Sequence, residues 1–125
     1  MDRVKFCTLW LPVIAWAGLI FFCSALPHLK TNLSTDFILR KAAHITEYFV
    51  LALLLRRAFL GTFSMDVGRL SFYSAGFAVL YAISDEIHQF FVPGRSCAIT
   101  DVGIDIVGII LFYVFLKIRK LQTAS

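Results

Sequence analysis

Charged residues are scarce in this sequence, and no stretch is polar enough to form a soluble domain. Asp, Glu, Lys and Arg make up 16% of the 125 residues, whereas 59% of the residues are hydrophobic and the mean hydropathy is +0.81. A soluble domain usually has about 45–50% apolar residues. The composition therefore excludes an ordinary water-soluble domain and indicates a single small domain, residues 1–125, whose solvent is a lipid bilayer.

Cysteines and familiar catalytic motifs are also scarce. The three cysteines are an odd number without metal-ligand spacing, so a disulfide framework is not expected. The sequence has no HExxH motif and no evident Ser-His-Asp arrangement, although Ser84 and Ser96 are available. The net charge of +4 does not indicate nucleic-acid binding, because the basic residues cluster at the ends of apolar runs, as in membrane proteins.

Four apolar runs cover most of the chain, at residues 6–26, 37–60, 70–91 and 100–116. A helix needs about 20 apolar residues to cross a bilayer, and Pro12 in the first run is tolerated where neighbouring helices compensate. This run is longer than the apolar region of a cleaved signal peptide, and Phe22 stands before Cys23 where a lipoprotein signal has a small residue. We therefore predict an all-α, four-helix transmembrane bundle that keeps its first helix.

The distribution of Lys and Arg predicts how this bundle is oriented. With four spans, both termini lie on the same side as the loop between the second and third spans. That side holds most of the basic residues, namely Arg3, Lys5, Arg56, Arg57, Arg69, Lys117, Arg119 and Lys120. Because the side richer in Lys and Arg faces the cytoplasm, we predict that both termini are cytoplasmic.

This orientation brings the unusual polar side chains of three spans to the outer part of the membrane. By span, they are Lys41, His44, Glu47 and Tyr48; then Asp85, Glu86, His88 and Gln89, followed by Arg95 in the loop; and finally Asp101 and Asp105. Ionisable side chains inside a membrane are costly to keep, so they indicate function by default.

Helical spacing predicts which of these side chains share a face. The expected stripes are Lys41 with His44 and Tyr48, bordered by Glu47; Asp85 with His88; Glu86 with Gln89; and Asp101 with Asp105 and Gly108. Gly103 and Gly108 would let another helix approach closely. Because carboxylates facing lipid are too costly, we expect the stripes to turn inward and form a polar chamber, open to the outside and capped by the turn at residues 93–95.

Several of these residues also have a plainer structural interpretation. Asp85 and His88 could tie the bundle together by hydrogen bonds between helices, and His44 could be a hydrogen-bonded packing residue. Asp101 could cap the N-terminus of the fourth helix, in competition with Thr100.

The polar motifs resemble those of the VanZ-like family of small bacterial membrane proteins, over nearly the whole chain. Residues 22–27 (FCSALP) are similar to its Ser-x-x-Pro motif, and residues 41–48 (KAAHITEY) to its Lys-x-x-His-x-x-x-Tyr motif. The strongest match is residues 84–95 (SDEIHQFFVPGR), and residues 101–108 (DVGIDIVG) are similar to Asp-x-x-x-Asn-x-x-Gly. Asp105 stands where the family usually carries Asn, which adds a negative charge or a protonatable site.

The resemblance implies a four-helix integral membrane protein of the bacterial cytoplasmic membrane. The family takes its name from a member associated with glycopeptide-antibiotic resistance. The motifs themselves do not define a biochemical activity.

The predicted chamber suits a lipid-linked phosphate or cell-wall precursor at the outer leaflet. Cationic side chains can hold an anionic headgroup, and a His can act as general acid or base. Our candidate catalytic residues are His44, Asp85, Glu86 and His88. Our candidate binding residues are Lys41, Glu47, Tyr48, Gln89, Arg95, Asp101 and Asp105.

The sequence leaves open whether the protein is an enzyme and whether it uses a metal. Two His with several carboxylates are a plausible ligand set for a divalent ion such as Zn, Mn or Mg. The alternative is a non-catalytic protein whose polar cluster is a buried salt-bridge network that fixes the bundle or binds lipid. A proton-coupled transporter is disfavoured, because the inner halves of the spans are apolar. The expected partners are membrane lipid, a lipid-linked precursor and a second copy of the chain, without nucleic acid.

Overall fold

The computed structural model describes residues 2–26, 34–95 and 98–124, and within these ranges it contains four α-helices and no strand. The helices are α1 (Arg3–Ala25), α2 (Ser34–Thr62), α3 (Val67–Phe90) and α4 (Ile99–Thr123). The predicted all-α, four-helix fold is confirmed. The first three helices begin slightly before the predicted apolar runs, and α4 continues through its basic C-terminal segment, because Lys and Arg are good helix formers that also suit a helix C-terminus.

Local sequence signals explain where α3 begins and ends. The carboxylate of Asp66 accepts a hydrogen bond from the backbone N–H of Arg69 at 3.2 Å, which caps the first turn. After Phe90 the chain turns through Pro93 and Gly94, and Gly94 has a φ of +81°, a conformation that favours glycine. This turn sends the chain back towards α4.

The four helices form a bundle with two central and two flanking members. The central helices α2 and α3 each contact all three other helices, whereas the described parts of α1 and α4 contact only the central pair. α2 and α4 run in the same direction, since Lys41 pairs with Asp101 and His44 with Asp105. The polar residues of the sequence thus lie mainly on the shielded central helices and on the face of α4 that meets them.

α2 and α4 approach closely at one glycine. A Cβ atom added to Gly108 would clash with the backbone carbonyl of Ile45, so only glycine fits there. The predicted close approach is therefore confirmed for Gly108. It is wrong for Gly103, where an added Cβ would meet open space because this residue faces away from the neighbouring helices.

Two of the described helices, α1 and α4, are long and apolar enough to cross a membrane, each with a mean hydropathy of 2.1. In the most apolar 18-residue stretch of each helix, only 17% of the residues of α1 and 22% of those of α4 are buried. A core helix of a soluble protein would be mostly buried, so these exposed apolar surfaces indicate contact with lipid. α2 and α3 are less apolar, which fits their central position. The orientation of the termini stays a prediction.

Candidate functional site

A cavity of about 600 Å³ opens at the end of the bundle formed by the start of α2, the start of α4 and the turn after α3. We call this end the outer end. The polar wall of the cavity includes Arg40, Lys41, His44, Gln89, Arg95 and Asp101. The apolar wall includes Phe37, Ala98 and Ile104. The cavity therefore combines basic groups with an apolar surface, as an amphiphilic ligand requires.

Lys41 is the first of two α2 side chains that meet α4 at the cavity. Its Nζ lies 3.5 Å from Oδ1 of Asp101 and 4.5 Å from the centroid of the Phe37 ring. The two charged side chains are 31% and 35% exposed. An ion pair so accessible to solvent contributes little stability, so an incoming anion can compete with Asp101 for the ammonium group.

His44 lies one turn deeper and is held by a buried carboxylate. Its Nδ1 is 2.9 Å from Oδ1 of Asp105, whose side chain is only 2% exposed. When the carboxylate accepts a hydrogen bond from Nδ1–H, the neutral ring presents Nε2 as a proton acceptor. Since His44 also lines the cavity, this pair can support acid–base chemistry on a ligand bound there.

A second polar group joins α1 to α3 and is buried. Ser24 Oγ donates a hydrogen bond to Oδ2 of Asp85 at 2.8 Å, and Gln89 Nε2 donates to the same oxygen at 3.2 Å and to Ser24 Oγ at 3.3 Å. All three side chains are buried. We call this group the Ser24 cluster; through Gln89 it reaches the cavity wall.

Two buried oxygen atoms near the Ser24 cluster have no hydrogen-bond partner among the described residues. They are the Tyr48 hydroxyl and Oδ1 of Asp85. The carboxylates of Asp85 and Asp105 both lie within electrostatic range of the Tyr48 hydroxyl. Unpaired buried polar atoms are costly, so these atoms are candidate contacts for a ligand that reaches below the cavity floor.

Glu86 is buried and has a structural partner. Its Oε1 accepts a hydrogen bond of 2.6 Å from the backbone N–H of Ala98, the N-cap residue of α4. The interpretation in which Asp101 or Thr100 caps α4 is therefore wrong, because the helix begins before both of them and Glu86 supplies the carboxylate from α3. Glu86 is not among the residues that line the cavity.

His88 does not line the cavity and packs against α1 instead. Its ring stacks on Phe21 of α1, with ring centroids 4.0 Å apart and an angle of 14° between the planes. The side chains that we expected on common faces, Asp85 with His88 and Glu86 with Gln89, form no hydrogen bond within either pair in the described residues. Asp85 instead bonds Gln89, four residues away, because both side chains turn towards Ser24.

Arg95 and Glu47 connect the outer loop and α2 to the first helix. Arg95 donates from Nη2 to the carbonyl of Cys23 at 3.3 Å, and its side chain lines the cavity. The backbone carbonyl of Glu47 accepts from Nε1 of Trp16 at 2.9 Å. The Glu47 carboxylate lies within electrostatic range of His44 and Arg95 without lining the cavity.

The candidate residues thus divide into three sets. Around the cavity lie Lys41, His44, Gln89, Arg95 and Asp101, with Asp105 directly behind His44. Tyr48 and Asp85 are buried beneath it, and Glu47, Glu86 and His88 lie elsewhere. Sequence reasoning missed Ser24 as a site residue, although the Ser-x-x-Pro motif contained it; its position at the outer end of the first apolar run was the available signal.

Among the described residues, neither the cysteines nor a cluster of metal-ligating side chains forms part of the site. Cys7 and Cys23 are free thiols, whereas Ser96 and Cys97 lie outside the described residues. In the part of the chain that the structure describes, no three His, Cys, Asp or Glu side chains converge as a metal ligand set. The identity of any cofactor stays open.

Comparison with known proteins identifies the family. The VanZ/LLP1 family model matches residues 9–120, which include most of each of the four helices and every residue around the cavity. Comparisons with curated proteins and with solved structures found no match. The matched range covers most of the chain, and α1 and α4 have the exposed apolar surfaces of membrane helices. This chain therefore belongs to the VanZ/LLP1 family and is a VanZ-like membrane protein.

Proposed function

We propose that this protein crosses the bacterial cytoplasmic membrane four times and binds the anionic headgroup of a lipid-linked phosphate or cell-wall precursor in the outer cavity. The observation that carries the proposal is the composition of that cavity. Lys41 and Arg95 supply positive charge on one part of the wall, and Phe37 and Ile104 supply apolar surface on another. A lipid-linked phosphate has the same two parts, joined at the membrane surface.

The outward surface of α3 supports four membrane crossings. Phe77, Leu80, Ile87 and Phe90 are all exposed, and their spacing places them along one side of the helix. A long exposed apolar stripe is unfavourable in water and favourable against lipid. α3 can therefore lie in the bilayer despite its charged residues, because Asp85 and Glu86 are buried in the bundle and Arg69 lies in the first turn of the helix.

The geometry suggests how the headgroup would be held. Lys41 would exchange its solvent-accessible contact with Asp101 for a phosphate oxygen. Arg95 would supply further N–H donors, which suit phosphate because the guanidinium can bind two oxygens at once. The lipid chain would leave the cavity along the apolar wall.

Processing of the bound precursor would depend on His44. Asp105 orients the ring from below at 2.9 Å, and a positioned imidazole can transfer protons near neutral pH. In this proposal Asp105, which stands where the family usually carries Asn, accepts the Nδ1 proton of His44 in a hydrogen bond and leaves Nε2 to accept a proton from the ligand. An association with glycopeptide resistance would follow if the bound precursor is the antibiotic's target.

A structural role is the second candidate, and the Ser24 cluster favours it for part of the polar set. Ser24, Gln89 and the Oδ2 atom of Asp85 form hydrogen bonds with one another inside the bundle, as expected for groups that fix helix positions. The two roles are compatible, since the buried cluster holds α1 and α3 in place while the cavity remains available.

Binding is best tested with the purified protein in detergent and a polyprenyl phosphate, with the polyprenol of equal chain length as the uncharged control. We expect binding of the phosphate alone. Lys41→Gln and Arg95→Gln should each weaken it about tenfold, because each removes charge-assisted hydrogen bonds. Lys5→Gln, the same change on an exposed residue at the other end of the bundle, should leave the affinity unchanged.

Turnover is tested separately by incubation with a polyprenyl diphosphate and measurement of released phosphate. His44→Gln should abolish release while binding persists. Equal binding of polyprenol and polyprenyl phosphate would contradict the proposal. Loss of binding only in parallel with loss of thermal stability would favour the structural role instead.

A further inference from the structure

A second cavity lies at the other end of the bundle, where α2 ends and α3 begins. Its volume is about 590 Å³, and it lies between the C-terminal part of α2, the first turns of α3 and the last turns of α4. We call this end the inner end. The residues that determine its chemistry are Arg56, Ser71, Tyr113, Lys117, Arg119 and Lys120. This cavity is separate from the outer site and shares no lining residue with it.

The inner cavity has basic residues without acidic partners. The ion pairs among the described residues are those of Lys41 with Asp101 and His44 with Asp105, both at the outer end. Arg56, Lys117 and Lys120 therefore face the cavity with no carboxylate at ion-pair distance in the described ranges. Such a concentration of like charge is unfavourable unless an anion offsets it.

A hydrogen bond inside the cavity wall holds Arg56 in position. Arg56 Nε donates to Ser71 Oγ at 3.1 Å. This contact uses one of the guanidinium donors and leaves the terminal N–H groups for a ligand. A guanidinium fixed in this way is prepared for bidentate contact with phosphate oxygens.

The polar groups at the floor of the cavity already form hydrogen bonds with one another. The Tyr113 hydroxyl donates to the backbone carbonyl of Ser71 at 2.9 Å and lies 2.8 Å from Ser74 Oγ, which can donate to it. These oxygens are engaged with each other, so they do not neutralise the cations. The site thus offers donors to an anion above a closed floor.

The position of the cavity along the helices matches the level of lipid headgroups. Arg56 and Ser71 lie within about two turns of the ends of their helices, and Lys117 and Lys120 lie in the last two turns of α4. The adjacent surface of α4 is apolar and exposed at Val114, Phe115 and Ile118. A lipid whose headgroup enters the cavity could place its chains along this surface.

We propose that the inner cavity binds the phosphate of an anionic lipid headgroup through Arg56, Lys117 and Lys120. Basic pockets between membrane helices are suited to this ligand, since the phosphate gains both charge and hydrogen bonds. The site is independent of the outer cavity, so either proposal can fail without the other.

The test uses detergent-purified full-length protein and dioleoyl phosphatidylglycerol, followed by native mass spectrometry or thermophoresis. Dioleoyl phosphatidylcholine, which has the same chains and no net charge, is the lipid control. We expect phosphatidylglycerol to bind at least tenfold more tightly, with an affinity that falls as salt is raised. Arg56→Gln and Lys120→Gln should each weaken binding about fivefold to tenfold.

Arg57→Gln is the matched control variant, because it makes the same change one residue away on an exposed side chain that does not line the cavity. It should alter the affinity less than twofold. Arg56→Gln also removes the hydrogen bond to Ser71 and could therefore impair folding. Lys120→Gln tests the same lipid site without this complication, because the Lys120 side chain is exposed and has no hydrogen bond to another helix among the described residues.

Soluble anions distinguish the source of the phosphate. Glycerol 3-phosphate and inorganic phosphate should compete only at far higher concentrations than the lipid if the headgroup and its chains bind together. Competition at equal concentrations would support the phosphate site and assign it to a soluble ligand. Equal losses in Arg57→Gln and Arg56→Gln, or equal binding of the two lipids, would overturn the proposal, because the charges would then act only in orienting the chain.

Discussion

At the scale of single residues, the contact between His44 and Asp105 has the greatest consequence for the protein. It joins a cavity-lining imidazole to a carboxylate that is almost completely buried. Such a carboxylate depends on its partner, because no water can replace a lost hydrogen bond without rearrangement.

We predict that His44→Ala lowers the free energy of unfolding by about 1–3 kcal/mol, since Asp105 is left buried without its partner. Asp105→Asn, which restores the residue usual in the family, should be milder because the amide can still bond the ring. Thermal unfolding in detergent measures both changes. In the double variant the effects should not add, and full additivity would show that the two side chains do not interact.

How far single residues could be predicted depended on which helix carried them. On α2 and α4 the spacing indicated which side chains share a face, and these faces meet in the structure, but it did not predict that Lys41 pairs with Asp101 and His44 with Asp105. On α3 it failed, since the partners of Asp85 and Glu86 come from Ser24 and from a backbone N–H. A small hydroxyl in an apolar run and a backbone donor leave no periodic signal.

At the scale of helices, two contacts fix how neighbours sit against each other. Gly108 sets the distance between α2 and α4, and the Ser24 cluster joins α1 to α3. In the sequence, a glycine is the only sign of the first contact and a serine the only sign of the second. The helices themselves were predictable from the apolar runs, because a chain in lipid must satisfy its backbone within each span.

Gly108→Ala should destabilise the bundle by about 1–3 kcal/mol, because the added methyl group would push against the Ile45 carbonyl and force α4 outward. Gly103→Ala is the matched control on the same helix. It faces open space and should be neutral or slightly stabilising, since alanine favours helix. Thermal unfolding of the two variants side by side tests the close approach, and equal values would contradict it.

Ser24→Ala should lower the free energy of unfolding by about 1–2 kcal/mol, since it removes a hydrogen bond to a buried charged group. Ser84→Ala provides the control, because Ser84 is exposed and, among the described residues, bonds the carbonyl of Tyr81 in its own helix. A larger effect at position 84 than at position 24 would show that the cluster does not hold α1. The measurement is again the unfolding midpoint in detergent.

At the scale of the whole molecule, the arrangement of the helices explains their composition. The flanking helices α1 and α4 are the most apolar, and the central pair α2 and α3 is less apolar. The sequence predicted the number of helices but not which of them are central. Hydropathy indicates whether a helix lies in lipid or in water, and it does not indicate which helices are its neighbours. The cavities at both ends follow from the same arrangement.

The orientation of the whole protein is tested with a membrane-impermeant thiol reagent on intact cells. Cys97 should be labelled, since the distribution of Lys and Arg predicts that its loop is extracytoplasmic. Cys97→Ala should remove this labelling. In a background that also lacks the free thiols of Cys7 and Cys23, Thr123→Cys at the opposite end should react only after the cells are opened. The reverse pattern would invert the proposed sides of both cavities.

The bond between Ser24 and Asp85 also bears on how the nascent chain assembles. The two residues are 61 positions apart, so the first helix enters the bilayer long before its partner has left the ribosome. During that interval α1 can already contact α2, where Trp16 bonds the carbonyl of Glu47, but its contact with α3 is still missing. Completion of the third helix therefore adds the second support of the first one, and a chain truncated before residue 85 would hold α1 by α2 alone.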